Sequence, residues 1–327
     1  MGPLSRRIAL LVAFVGVIAA SIIIYFGTGR ESGYFRVAIA TWPGFGLGNV
    51  AKELGFFKDV NVDFSKIDDP TARIAAFRAG RVNIMISSLD VFAQEASTGL
   101  KGRVFLVTDN SYGADGIVVR TDVSSLKDLY GRKVAVAQAT PSHFFLRELF
   151  RQKGYDLSKI ELVFFQDPTL AGQAFVAGKV DAAVTWEPLM SEIVQRPGNK
   201  ILYTTKDTPD TIVDVLVADE RLLRSSDKLR AFADGWLRAV EFAKRDPAKA
   251  RPIIAAAIGA PADQSDSILE GVDLADRAKN RKMLCAKPAP AADLIESAQS
   301  FWVSIGVIKE MQPAASQLVA DIVCANP

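Results

Sequence analysis

The chain has 327 residues, 49% hydrophobic and 23% charged, with 39 Lys and Arg against 37 Asp and Glu. That composition is ordinary for a globular protein, and the net charge of +2, with no block of five or more Lys and Arg, excludes a nucleic-acid partner held through its phosphates. The length predicts two domains, or one large bilobal body.

Arg6 and Arg7 precede an apolar run from Ile8 to Phe26, and no charge occurs before Arg30. A run of about 20 apolar residues spans a bilayer. The positive flank places the body of the chain outside the cytoplasm. Residues 1–29 are expected to remain as a single-pass anchor in the inner membrane, on its periplasmic side. The alternative is cleavage at Ala19-Ala20-Ser21, which frees a soluble periplasmic protein. The only cysteines are Cys285 and Cys324, so the N-terminus carries no lipid-bearing cysteine. In an exported protein these two form one disulfide or remain two buried thiols.

After a polar linker the chain repeats itself. DPTARIAAFRAGRVNIMIS from Asp69 aligns without a gap with DPTLAGQAFVAGKVDAAVT from Asp167. In each copy the Asp caps a helix whose first residue is Pro70 or Pro168. Gly80 and Gly178 stand where a helix ends in a left-handed residue. A short apolar strand follows, and the polar residues Ser88-Leu89-Asp90 or Trp186-Glu187-Pro188 lie at its carboxyl end, where open α/β sheets bind ligands. VAIATWPGFG (37–46) and VAVAQATPSH (134–143) extend the match upstream. The pattern predicts an α/β protein of two like lobes, each β-α-β-α-β, with a ligand cleft between them.

Asp115 to Val119 reads as a strand leaving the first lobe, and Ile212 to Ala218 as one returning. Two crossings make a hinge. Lobe 1 is therefore expected to be 36–117 plus 213–327, and lobe 2 to be 118–212. From Ser226 an amphipathic helix runs to Asp246-Pro247, with Trp236 on its buried face. Further helices are expected around 262–272, 291–305 and 313–324, covering the first lobe.

Catalytic and cofactor signatures are nearly absent. His143 is the sole histidine, and it and the two cysteines have no metal-ligand spacing. The Gly44-Phe45-Gly46-Leu47-Gly48 run misplaces its third glycine for a dinucleotide fingerprint, and Trp42-Pro43 intrudes before it. It reads instead as a flexible loop leaving room for a ligand beside Trp42, and no cofactor is expected. The cleft edges offer Trp42, Ser88, Asp90, Tyr112, Asp115, Ser142, His143, Trp186, Glu187 and Asp214, with no Lys or Arg. An anion site normally shows an Arg fork or a Lys. Carboxylates beside aromatic faces suit an ammonium, amidinium or guanidinium. Each carboxylate has a plainer alternative as a helix cap or a solvated turn.

The motifs Trp42-Pro43-Gly44-Phe45, Ala51 to Lys58, Asp109-x-Ser111-x-Gly113-Ala114-Asp115-Gly116, Ser142-His143-Phe144 and Trp186-Glu187-Pro188 carry a family likeness. The chain resembles the solute-binding proteins of nitrate/sulfonate/taurine-type ABC importers, the NMT1/THI5-like group that includes thiamine-pyrimidine binders. The resemblance covers about 36–325. It implies a type II periplasmic-binding fold that closes on a small solute and docks on an ABC permease, and through it an ATPase. It also implies that Trp42, the Ser88–Asp90 turn, Asp115, the Ser142–His143 helix start and Glu187 line the cleft. Gly-Ala-Asp-Gly and Ile-Val-Asp-Val-Leu-Val place the chain near a branch linked to small nitrogenous solutes. The long N-terminal apolar run departs from relatives with a cleaved peptide or lipid anchor. A membrane-tethered sensory module without a permease is the alternative. A pyrimidine-synthesis enzyme on the same fold is disfavoured by the lone histidine and the lack of a cysteine cluster.

Overall fold

The computed structural model describes residues 34–261 and 265–324. The expected anchor at 1–29 lies outside the described residues. Among the described residues, no helix is long and apolar enough to cross a membrane.

Two mixed sheets organise the chain. The strands are β1 (Tyr34–Ile39), β2 (Asn61–Lys66), β3 (Ile84–Ser88), β4 (Gly102–Ser111), β5 (Asp115–Arg120), β6 (Lys133–Ala137), β7 (Glu161–Phe165), β8 (Ala182–Trp186), β9 (Asn199–Thr204), β10 (Val213–Asp219) and β11 (Val272–Leu274). The first sheet has the order β11-β4-β10-β3-β1-β2, and the second the order β7-β6-β8-β5-β9. In each, three parallel strands are followed by an antiparallel strand that has crossed over from the other sheet: β10 in the first, β5 in the second. The chain passes between the sheets twice, from Ser111 to Asp115 and from Thr204 to Val213.

The helices are α1 (Leu47–Glu53), α2 (Pro70–Arg78), α3 (Leu89–Ser97), α4 (Pro141–Gln152), α5 (Pro168–Val176), α6 (Leu189–Val194), α7 (Ser226–Arg245), α8 (Pro247–Ile258), α9 (Arg277–Asn280), α10 (Pro290–Ser304) and α11 (Asp321–Cys324). The repeat is built as its sequence dictates. The Asp69 carboxylate accepts the Ala72 amide at 2.6 Å at the start of α2, and Asp167 accepts that of Leu170 at 3.0 Å at the start of α5. Gly80 and Gly178 carry φ of +67° and +69°, conformations that a Cβ disfavours.

One large apolar core lies against the first sheet and gathers α7 and α10, with Phe232, Trp236 and Trp302 fully buried in it. Two smaller cores cover the two faces of the second sheet. Such double coverage explains why the parallel strands read as unbroken apolar runs.

The C-terminal expectations need correction. Residues 265–270 form turns rather than a helix, and Val272–Leu274 is β11, which pairs antiparallel with the end of β4. Asp246-Pro247 ends α7 but also begins α8, because a proline fits the first turn of a helix as well as it stops one. Over 313–324 there is only a 3-10 turn, Ala314–Gln317, and the short α11. Cys285 and Cys324 form a disulfide across a separation of 39 residues.

Candidate functional site

The strand ends that face the interval between the sheets carry the polar residues. β3 ends at Ser88, and Asp90 follows in the first turn of α3. β10 runs the opposite way, so its second residue, Asp214, lies opposite Ser88 on one side and Asp109 of β4 on the other. Asp115 opens β5 opposite Trp186. Asp90, Asp109, Asp115 and Asp214 are all buried. Asp214 feels the charges of the other three.

Burial dominates their electrostatics. It pushes the Asp90 carboxyl up to about 7, although Ser88 and the first amides of α3 act to lower it. It pushes Asp115 up to about 6, against the lowering effect of the Ser111 hydroxyl. Asp109 is raised to about 6 by the same cause. Asp214 lies well above the usual carboxylate range, from burial first and then from its acidic neighbours. Two cations act on the group, and both are committed elsewhere. Lys279 lowers Asp109 but bonds Asp273 at 2.5 Å and Asp210 at 3.3 Å. Arg73 of α2 donates to the Ile67 carbonyl at 2.8 Å and feels buried Glu95 before Asp214. The cluster keeps an excess of negative charge.

Trp42 joins it from the first lobe. Its indole Nε1 donates to Asp109 Oδ1 at 2.7 Å. Gly44 makes this approach feasible, since a Cβ there would overlap the Asp109 carboxylate. The glycine run is therefore not an open loop. Pro43–Gly46 is a 3-10 turn with Gly44, Phe45 and Gly46 buried, leading directly into α1. The contact that closes it over Asp109 is absent from any local pattern.

The crossover is tied by hydroxyls. Ser111 Oγ donates to Asp115 Oδ2 at 2.6 Å and lies 2.9 Å from Thr205 Oγ1, which also accepts the Gly113 amide at 2.7 Å. Tyr112 is exposed beside Lys206.

The other expected site residues have partners of their own, although Glu187 also raises Asp115 through its charge and Trp186 pairs opposite Asp115. Glu187, joined to Pro188 by a cis bond, caps α6: its oxygens accept the Ser191 amide at 3.0 Å and hydroxyl at 2.8 Å. Trp186 is partly buried and donates to Thr169 Oγ1 at 3.2 Å. Ser142 is buried in the first turn of α4. His143 sits edge-on between Phe164, Phe301 and Trp302, and burial pushes its imidazole down to about 4, so it is neutral at physiological pH. The structure thus brings Ser88, Asp90, Asp115 and Asp214 together, with Trp42 attached through Asp109, and places His143 in an aromatic contact with α10. Asp109 and Thr205 were not singled out from sequence as site residues. The signal for Asp109 was available: Thr108 to Ser111 are four polar residues in a row, all buried, ending an apolar strand.

With this geometry in place, likeness to known proteins is informative. The NMT1/THI5-like family model matches residues 43–250, well over half of the chain. The chain belongs to that family. It is 24% identical over 214 residues to the taurine-binding periplasmic protein of Escherichia coli K12, covering 64% of this chain and 58% of that protein. It is 30% identical over 131 residues to a putative aliphatic sulfonates-binding protein of the same organism, covering 37% of this chain and 38% of that protein. The chain therefore spans less than two thirds of the length of these curated relatives. The fold superposes on the periplasmic aliphatic sulphonate binding protein SsuA from Escherichia coli with a TM-score of 0.71 at 17% identity, over 88% of this chain and 92% of that one. The fold is the α/β two-lobed one of periplasmic binding proteins.

Proposed function

We propose that this chain is the solute-binding component of an ABC importer, held on the periplasmic side of the cytoplasmic membrane by its N-terminal apolar run. Its cleft clamps a small nitrogenous solute that is cationic or rich in N–H donors and presents it to a permease and, through it, an ATPase. The binding-protein names of the relatives support transport over catalysis. The two crossovers supply a hinge, and a solute touching both Asp90 and Asp214 of the first lobe and Asp115 at the start of the second sheet favours the closed state.

One observation carries the choice of ligand. Asp90, Asp115 and Asp214 are buried together, and among the described residues no Lys or Arg forms an ion pair with them. Where these carboxylates are ionised they repel a bare alkylsulfonate and attract a cation through charge-assisted hydrogen bonds. Taurine, which names one relative, carries an ammonium group beside its sulfonate, whereas the aliphatic sulfonates that name other relatives carry none and speak for an anion. A cationic end is the part of a solute that this cleft has groups to hold.

A thermal-shift panel of amines, amidines, guanidines and aminopyrimidines against nitrate and alkylsulfonates tests the proposal. A ligand at 100 times its dissociation constant adds about 2.7 kcal/mol to stability. That raises Tm by at least a few degrees for a chain of this size. Asp115→Asn should weaken a cation by roughly 1.5–3 kcal/mol. A shift produced only by the anions, and retained in that variant, would overturn it.

A further inference from the structure

Asp90 differs from the acidic side chains around it. It is fully buried, and both its oxygens lack a hydrogen-bond donor. Ser88 and the first amides of α3 are near enough to temper its charge without reaching bonding geometry. Two neighbouring carboxylates each have one oxygen engaged: Asp109 Oδ1 takes the Trp42 indole, its Oδ2 remaining open, and Asp115 Oδ2 takes Ser111. Asp90 is held in place by its own helix, whose first turn receives the Trp302 indole N–H on the Asp90 carbonyl at 2.9 Å. A rigid, buried carboxylate with two open oxygens can accept two donors that reach it side by side.

Donor geometry then separates the classes of cation. A primary ammonium projects its three N–H bonds tetrahedrally from one nitrogen. A planar N–C–N group offers two parallel N–H bonds at the spacing of the two carboxylate oxygens, which is the basis of bidentate pairing. Such a delocalised cation also sheds water more easily than an ammonium and stacks on an indole face, and the Trp42 indole is fixed beside Asp109 in the same cluster.

We infer that the solute offers Asp90 a planar, positively charged N–C–N fork of the amidinium or guanidinium type, and that Asp90 is the residue that selects it over a simple amine. This rests on the cationic reading of the cleft and narrows it. Asp115 and Asp214 then face the remaining N–H groups or the substituent of the solute.

The test is isothermal titration of the full chain with matched pairs: acetamidinium against ethylammonium, and methylguanidinium against propylammonium, each as the chloride at low millimolar concentration. Ethanesulfonate serves as the anionic arm. The planar cation of each pair should bind at least roughly tenfold tighter, the equivalent of one further charge-assisted hydrogen bond. Asp90→Asn keeps one acceptor and gains a donor, so it should remove that preference. Wild-type selectivity alone decides the matter if the variant fails to fold. Alkylammonium ions binding as tightly as their planar partners, or an Asp90→Asn chain that keeps the preference, would overturn the fork and leave the cationic reading standing. Ethanesulfonate binding where none of the four cations does would overturn both.

Discussion

Asp90 and its neighbours pair poorly with water and with one another, and that has a measurable cost in the empty protein. An unfolded chain titrates its aspartates near 4. Folding holds Asp90 near 7 and Asp109 and Asp115 near 6, raises buried Glu95 to about 7 and lifts Asp214 well above the usual carboxylate range. Between these values the folded state binds more protons than the unfolded one, so stability falls as pH rises through this window. His143, depressed to about 4, works in the opposite sense as a single group. The ligand-free protein should therefore melt at a higher temperature at pH 5 than at pH 8, as followed by circular dichroism. A Tm that is flat or climbs between those two values would show that the carboxylates are solvated rather than buried. Position at expected strand ends made Asp90, Asp115 and Asp214 visible in the sequence, although a helix cap or a solvated turn places a carboxylate there as well. The sequence could not show that Glu187 spends its carboxylate on Ser191, since a cap and a ligand contact place the same residue at the same strand end. Nor could it show His143 against Phe301 and Trp302, a contact made across more than 150 residues of chain.

The repeated unit was the most legible element. Its grammar of Asp cap, Pro at the first helical position, Gly at the end and apolar strand is local, and local chemistry is what a sequence displays. Even the pair Asn83 and Asp181 keeps one role in both copies. Each side chain accepts the backbone N–H of the adjacent first strand at 2.8 Å, from Arg36 and Lys133 respectively. The C-terminal third was less legible, because its elements take their form from what they cover. β11 exists because the end of β4 needs a partner, and residues 265–270 turn to reach it. Asn280 likewise bonds both the N–H and the carbonyl of Val107 at 2.9 Å, standing in for a strand. The disulfide joins the turn just after Asn280 to α11. Its closed loop of 39 residues implies a contribution of roughly 3–4 kcal/mol from unfolded-state entropy. The Cys285→Ser, Cys324→Ser double variant should lose about that much in urea unfolding at pH 7, with the m-value raised because the unfolded chain is less constrained. A loss under about 1 kcal/mol would mean that the C-terminal segment is held by packing alone.

At the scale of the whole molecule, three features converge between the lobes. The crossovers Ser111–Asp115 and Thr204–Val213 give the lobes freedom to move. In the proposed function the acidic cluster is what draws a cation to the junction. A second bridge runs along α10: Arg147 of α4 donates to Ser297 at 2.8 Å, Ser297 donates to Glu148 at 3.1 Å, and Phe144 enters the core of the first lobe. This bridge makes the lobes contact each other away from the ligand. The proposed function turns on the sign of the charge that the cleft accepts. Isothermal titration of the full chain at pH 5.5 and pH 8 with methylguanidinium and with ethanesulfonate reads that sign directly. The cation should bind, and bind more tightly at pH 8, where Asp90, Asp109 and Asp115 are mostly ionised, while ethanesulfonate should give no heat at either pH. Ethanesulfonate binding more tightly at pH 5.5 than at pH 8, with no response to the cation, would contradict it.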